Sequence, residues 1–392
     1  MCPTFIATGE EIMSTRGRAN AIRAALELRG IKGGDALRSA ELEAALSNCL
    51  SCKACTIECP SNVNMALLKA ELQYARTRHD GLTLHQRLFS SVDWLGRLGC
   101  RMPRLANALI ESAALRFLTA RILGVTDKRP LPRYARQRFD HWFARHSPAR
   151  FASRGRVILW DDTFVRYHEP HVGIAAVRVL EAAGFEVALA AGRKCCGRPA
   201  FSQGNLDAVK QLGSHNLALL SRDVDNAPII FLEPSCYSMF VEDYRELNLP
   251  GTEQVAARCF LFEQFIGELL EREPNALKFS ARPANVVIHA HCHAKVLAEP
   301  AHWERLVQRL PERKVTLLDT GCCGMAGAFG ALESKYELSV QVAKPLIDRI
   351  RNQPFGTTVV ASGTSCRQQI RHLAPVRIQH MAELLADALG GH

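Results

Sequence analysis

Between residues 49 and 62 the chain reads CLSCKACTIECPSN, with cysteines at 49, 52, 55 and 59 and a proline after the last. The spacing C-x2-C-x2-C-x3-C-P is the run that holds an iron–sulfur cluster, because thiolates two residues apart on a loop can wrap one face of a compact metal core. In two-cluster ferredoxins the fourth cysteine of such a run ligates the companion cluster, so a remote cysteine has to close the first. Cys2 precedes Pro3, as the fourth cysteine of a companion run would. A 4Fe–4S cluster is therefore expected on Cys2, Cys49, Cys52 and Cys55. Cys59 would serve a second cluster completed from outside this chain, or this same cluster if no companion exists. A zinc ribbon would instead separate two C-x2-C pairs by about a dozen residues or more.

Two further boxes carry vicinal cysteines followed by glycine, at Cys195-Cys196-Gly197 and Cys322-Cys323-Gly324. Glycine allows a tight turn, so each box presents two sulfurs at one point. Ligand sites in open α/β sheets lie at the carboxyl ends of strands. If the strands are parallel and adjacent, Cys292 and Cys366 would converge on Cys322 and Cys323, and the four thiolates could hold a second iron–sulfur cluster or a zinc ion. The first box has Cys195, Cys196 and Cys236, with Asp162 and Thr163 where a fourth sulfur would stand. It reads either as a functional pocket or as a relic of duplication. The stretch HAHCHAK sets His289, His291 and His293 around Cys292. Alternate residues of a strand share a face, so these imidazoles could reach one site as ligands or proton carriers, or serve as ordinary hydrogen-bonded residues. Cys100 and Cys259, in helical, apolar surroundings, read as core thiols.

The elements that must position these residues follow from apolar periodicity. Helical spacing predicts a helix over 15–30, a second leading up to Cys49, and a third in NMALLKAELQYARTR. The stretch RLANALIESAALRFLTARIL places Leu105, Leu109, Ala113, Phe117 and Ile122 near one stripe, and DKRPLPRYARQR reads as a connector. From GRVILW onward the texture changes. The short apolar runs VILW, FEVALA, PIIFLE, NVVIHA, KVTLLD and TTVVAS alternate with helical periods, which implies parallel α/β units. These units repeat. The span 162–195 in the first is matched by 292–322 in the second, and 196–236 by 323–366, with CCG turns and a final Ser-Cys in register. That is the mark of an internal duplication. The expected organisation is an α-helical ferredoxin-type domain at 1–80, a basic helical connector at 81–153, and a duplicated α/β domain with units at 154–272 and 283–392.

Composition sets the class. The 392 residues are 47% hydrophobic and 22% charged, as in soluble globular proteins of two or three domains. No apolar run approaches the roughly 18 residues of a membrane span, and the N-terminus lacks the layout of a signal peptide. Fourteen cysteines without an export signal read as metal ligands or redox centres in the cytoplasm rather than disulfides. The formal charge of +10 sits between Lys69 and Arg150, where sixteen Lys/Arg face six Asp/Glu. With no recognition motif or interleaved aromatics there, nucleic acid is not an expected partner. The segment is a solvated helical face or a docking surface.

The motifs MCPTFIATGEEIMSTRGRANAI, the cysteine run, DTFVRYHEPHVGIAAVRVLEAAGFEV, CCGRP, LEPSC, HAHCHAK, LDTGCCGMAGAFG and SCRQQI resemble the iron–sulfur, Cys-Cys-Gly-domain portion of FAD-linked D-2-hydroxyacid dehydrogenases. Similar chains are the iron–sulfur subunits of glycolate oxidase and of anaerobic glycerol-3-phosphate dehydrogenase and, more distantly, the corresponding component of heterodisulfide reductase. The resemblance covers nearly the whole chain. It implies an electron-transfer component of an oxidoreductase that acts on a D-lactate-, glycolate- or 2-hydroxyglutarate-type acid. FAD on a partner or a missing domain would take the substrate's electrons, the clusters would carry them singly, and a quinone or another carrier would accept them. With no G-x-G-x-x-G, the chain is not expected to oxidise substrate alone. In fused members a flavin domain precedes this region, and an upstream cysteine run ends in the same MCP found here at residues 1–3, which implies that this chain starts just inside that boundary. A cytoplasmic protein, peripheral on the inner face of the cell membrane, fits the resemblance and the basic helices. The boxes of heterodisulfide reductase end in C-x-x-C, whereas Glu233 and Gly363 stand here where that first sulfur would be. The rival reading is a zinc-stabilised scaffold or binding module without redox function.

Overall fold

A computed structural model describes residues 2–32, 37–147, 152–223 and 225–390. The N-terminal region is a set of short helices, each with a local reason to begin or end. α1 (Pro3–Thr8) starts on a proline, whose fixed φ suits a first turn, and stops at Gly9 in the left-handed region. α2 (Thr15–Lys32) is followed by α3 (Ala40–Ser47), where the Ser39 hydroxyl accepts the Leu42 amide. Beyond the cysteine loop come α4 (Ala54–Glu58) and α5 (Met65–Asp80), the latter capped by the Asn64 side chain. Ile22, Ala25, Leu42, Leu46 and Met65 form a small core into which Cys49 is packed.

Four amphipathic helices continue the chain: α6 (Leu84–Ser90), α7 (Val92–Gly99), α8 (Pro103–Glu111) and α9 (Ala113–Leu123). The stripe expected across 104–123 is interrupted where Ser112 ends α8 and caps α9. Its apolar residues also do not form a core: Leu105, Leu109, Phe117 and Ile122 are half or more exposed.

The remainder is two four-stranded parallel sheets. The first, in order β2-β1-β3-β4, uses β1 (Arg156–Trp160), β2 (Glu186–Leu189), β3 (Ile229–Phe231) and β4 (Cys259–Leu261). The second repeats that order as β6-β5-β7-β8, with β5 (Ala284–Ile288), β6 (Arg313–Leu317), β7 (Thr358–Val360) and β8 (Ile378–Gln379). Every strand pair is parallel, and β5 has β6 and β7 as its two neighbours. β4 and β8 carry only three and two residues and were not expected. Cys259 therefore lies on a strand and not on a helix; it is buried, with its thiol on the Val255 carbonyl. Cys100 ends α7, half-buried, with its thiol on the Tyr167 carbonyl.

The two units share one apolar core, which runs from Val157, Leu159 and Phe231 to Val286, Trp303 and Leu385. A buried ion pair and a buried hydrogen bond also cross between them. Glu169 of the first unit meets Arg367 of the second at 2.5 Å, and Glu233 accepts the Thr364 amide at the start of the helix that carries Cys366. Among the described residues no helix is long and apolar enough to cross a membrane.

Candidate functional site

The cysteine loop is shaped by residues in unusual backbone conformations. Ser51 and Lys53 both have positive φ, at 51° and 62°, a region that non-glycine residues enter at a cost. The alternation turns successive amide groups inward. Ser51 N–H points at Cys49 Sγ at 3.5 Å, and the backbone at Ala54 and Met65 serves Cys52 and Cys55 in the same way. Such nests of N–H groups favour an anionic occupant.

Cys2 arrives from the other side, carried by the turn before α1. Its Sγ lies 2.8 Å from an Arg18 guanidinium nitrogen and 3.3 Å from the Thr4 hydroxyl. Arg18 is 1% exposed and also donates to the carbonyls of Ala45 and Asn48, which locks Cys2 onto the loop. Burial alone would raise the Cys2 thiol pKa, but Arg18 and Thr4 outweigh it, so the net shift is downward. Lys69, also buried, donates to the Cys49 carbonyl at 2.6 Å. The charges of Cys49 and Cys2 act on both Cys52 and Cys55, so the four sulfurs form one neighbourhood. Four thiols, inward amides and two buried cations suit a 4Fe–4S cluster, which is anionic when held by thiolates. Cys59 is half-buried at the C-terminal cap of α4.

The second thiol set lies at the carboxyl ends of the second sheet. Cys292 follows β5, Cys322 and Cys323 follow β6, and Cys366 follows β7. Parallel pairing of β5 with β6 and β7 brings them together, at the point where the chain switches direction across the sheet. Sulfur contacts run from Cys292 to Cys322, on to Cys323 and on to Cys366. The contact with Cys322, followed by burial, drives the Cys292 thiol well up, and all four thiols are raised. Four buried thiols that resist ionising one another are what a bound metal centre would relieve. A fifth sulfur has no room. A Cβ on Gly363 would come within 2.2 Å of the His291 ring.

These two sets are contiguous. Cys52 packs in one apolar cluster with Cys292, Cys322, Leu50 and Phe329. After burial, Cys292 is the largest influence raising the Cys52 thiol, ahead of Cys49 and Cys2. One residue of the loop thus lies within charge range of both sets.

In the first unit Cys195, Cys196 and Cys236 are buried, and Cys196 Sγ lies 3.0 Å from Cys236 Sγ. Asp162 follows β1, where Cys292 follows β5, and its side chain caps the next helix. Burial and the nearby Glu233 raise the Asp162 carboxyl to about 7. The Cys196 contact lowers the Cys236 thiol, but burial, Asp162 and Glu233 raise it to about 11. Three sulfurs and a carboxylate make this a different donor set from that of the second unit.

The histidines are not arranged by strand alternation. β5 ends at Ile288, His291 caps the following helix, and His293 lies in its first turn. His289 turns to the Thr320 hydroxyl, whereas the His291 and His293 rings meet edge-on at 5.2 Å. Burial lowers all three pKa values, to about 3 for His289, so they are neutral near pH 7. His293 Nε2 is 3.0 Å from the Ser51 carbonyl and 3.4 Å from Arg198. Around it lies a buried hub that sequence reasoning missed. Lys53, with no side-chain exposure, pairs with Asp243 at 2.9 Å and Glu242 at 2.6 Å, and Arg198 pairs with Asp243 at 3.0 Å. The hub ties the cysteine loop to both α/β units. Lys53 sits within the loop itself, but nothing in a sequence separates a buried lysine from the common exposed kind.

Residues 1–63 match the 4Fe-4S dicluster domain, and residues 163–241 and 286–371 each match the cysteine-rich domain. The chain is 26% identical to the C subunit of the anaerobic glycerol-3-phosphate dehydrogenase of Escherichia coli, over 84% of this chain and 83% of that one. It is 24% identical to the probable glycolate oxidase iron-sulfur subunit of Bacillus subtilis, over 99% of this chain and 91% of that one. It is 27% identical to the D-2-hydroxyglutarate dehydrogenase of Pseudomonas putida, over 98% of this chain but only 41% of the longer protein. The chain thus joins a region that matches the 4Fe-4S dicluster domain to two that match the cysteine-rich domain, and it is similar over most of its length to iron–sulfur subunits of dehydrogenases and oxidases.

Proposed function

We propose that this chain relays single electrons from an FAD-bearing dehydrogenase partner for a 2-hydroxy acid towards a quinone or similar carrier. Cys2, Cys49, Cys52 and Cys55 would hold a 4Fe–4S cluster. Cys292, Cys322, Cys323 and Cys366 would hold a second iron–sulfur centre, and Cys59 would serve a further cluster completed by sulfurs from outside these residues. Such clusters supply one-electron transfer when bound. The chain's own residues bring the two thiol sets together, exclude water and set the local charge.

The observation that carries this reading is Cys52, which packs on the same apolar cluster as Cys292 and Cys322 and lies within charge range of Cys292 as well as of Cys49 and Cys2. A purely structural metal site would have no need of such adjacency. The relatives named for glycolate, glycerol-3-phosphate and D-2-hydroxyglutarate support a hydroxylated-acid or polyol-phosphate donor. The 2-hydroxy acids are favoured, because the relatives matched over nearly the whole of this chain carry those names. Activity is expected only with the flavoprotein present.

The test is iron and acid-labile sulfide analysis of anaerobically purified protein, alongside the variants Cys49→Ser and Cys366→Ser. Each variant should lose a separate share of the iron. Stoichiometric zinc without iron in the wild type would overturn the proposal in favour of a scaffold.

A further inference from the structure

The connector between α9 and β1 reaches into the second unit. Val125 bridges Leu332, and the Thr126 amide donates to the Ala331 carbonyl at 2.8 Å. Three residues further on, Arg129 is only 4% exposed, a depth at which arginine ordinarily has an acidic partner. Here it makes no ion pair among the described residues. Glu333 and Glu337, at the start of the helix Glu333–Arg351, pair with Lys128 instead, each at 3.1 Å.

The contacts that Arg129 does make are with neutral groups. Its Nη1 donates to the Gln369 side-chain oxygen, and its guanidinium carbon lies 5.4 Å from the centre of the Tyr336 ring. Nε and Nη2 are buried with no hydrogen-bond partner among the described residues. A buried cation with two idle donors is costly unless something anionic meets it. The framework around it leads to the second thiol set. Gln369 stands three residues after Cys366 on the helix Thr364–Leu373, and residues three apart share a helix face. The Gln369 amide donates to the Ser339 carbonyl and hydroxyl at 3.1 and 3.2 Å. That same carbonyl packs on the second Cys-Cys-Gly turn, since a Cβ on Gly324 would come within 2.3 Å of it. Cys323 and Cys366 share one apolar cluster, and Cys323 lies within charge range of Arg129. The first unit differs. Met239 stands three residues after Cys236, and the arginine against its sulfur, Arg198, is paired with Asp243 at 3.0 Å.

We propose that Arg129 is a positioning residue for the second centre, its idle Nε–H and Nη2–H donating towards the sulfurs around Cys323 and its charge offsetting the electron taken up there. The proposal rests on Cys292, Cys322, Cys323 and Cys366 holding an iron–sulfur centre. Net charge and hydrogen bonds to sulfur set the potential of such a centre, so Arg129 makes it easier to reduce. The connector thereby supplies a working part of the relay as well as joining its domains.

Anaerobic redox titration of the holoprotein, with the EPR signals of the two centres followed separately, tests this. In Arg129→Gln the reduced-to-oxidised ratio of the second centre at a fixed solution potential should fall about tenfold, a midpoint about 59 mV lower. The N-terminal centre should not move. Arg129→Lys keeps the charge and should stay within about threefold of wild type. If Arg129→Gln fails to hold the second share of iron, Arg129→Lys decides. Restored iron with a near-wild-type midpoint supports the proposal, and loss of that iron here too overturns it. An iron-replete Arg129→Gln whose second midpoint is unmoved or raised overturns the proposal and leaves the two-centre relay standing. A wild type with iron for the N-terminal centre alone overturns both.

Discussion

Arg18 is the residue through which the chain most directly sets the electrical environment of the N-terminal thiol set. It is buried, lies 2.8 Å from Cys2 Sγ, and is anchored by two carbonyls of the third helix and the cysteine loop. An added electron on a cluster there would be spread over the core, roughly 5 Å from the guanidinium. At an effective dielectric of about 20, that interaction is about 3 kcal/mol. At about 59 mV per 1.4 kcal/mol for one electron, it corresponds to roughly 140 mV as an upper bound. Glutamine keeps a dipole, and water recovers part of the remainder, so Arg18→Gln should lower the midpoint potential by about half of that bound, roughly 70 mV. The direction is firm, because a cation favours the more negative, reduced state. The assay is an anaerobic redox titration followed by EPR, with Arg18→Lys as the control that keeps the charge and loses the fork. Arg18→Lys should retain most of the potential. A variant of full iron content whose potential is unmoved or raised would refute the reasoning.

Other consequences follow from the buried hub and the junction between the units. Lys53→Met would leave Asp243 to Arg198 alone and take the cation from Glu242, and should cost about 1–3 kcal/mol in chemical denaturation, as loss of a hydrogen-bond partner from a buried polar group does. Gly363→Ala would drive a methyl group into the His291 ring; a loss of about 1–3 kcal/mol is expected from overpacking, with spectral changes confined to the second thiol set. The Glu169 carboxyl is raised by burial but lowered more by Arg367 and Arg371, to about 2 from 4.5. Its folded pKa lies below its unfolded one, so the stabilisation is full above about pH 4.5 and is lost as pH falls towards 2. At about 1.4 kcal/mol per unit this is roughly 3 kcal/mol, and an acid titration of Glu169→Gln should lack that segment of the curve.

The cysteines and the long strands were legible because both leave a local signature. C-x2-C-x2-C-x3-C, two CCG turns and runs such as NVVIHA declare themselves within a few residues. β4 and β8, of three and two residues, fall below the length at which alternation can be read. The outward face of α7–α9 was not legible, because an apolar stripe says that a helix has two faces and not which one meets the protein. Gly96 and Gly99 decide that, through close packing against Tyr167 and Tyr134. The approach of Cys52 to Cys292 and Cys322 joins parts of the chain far apart in sequence. Arg18, Lys53, Lys69 and Arg198 act where they do because they are buried, and burial of a cation has no sequence mark.

The most direct measurement is EPR of the fully reduced, anaerobic holoprotein beside Cys322→Ser. Two centres joined through Cys52 should give a wild-type spectrum broadened by spin–spin interaction. Cys322→Ser should collapse it to the simple signal of one centre, with the N-terminal iron retained. A wild-type spectrum that already shows one isolated centre, unchanged by Cys322→Ser, would contradict the account.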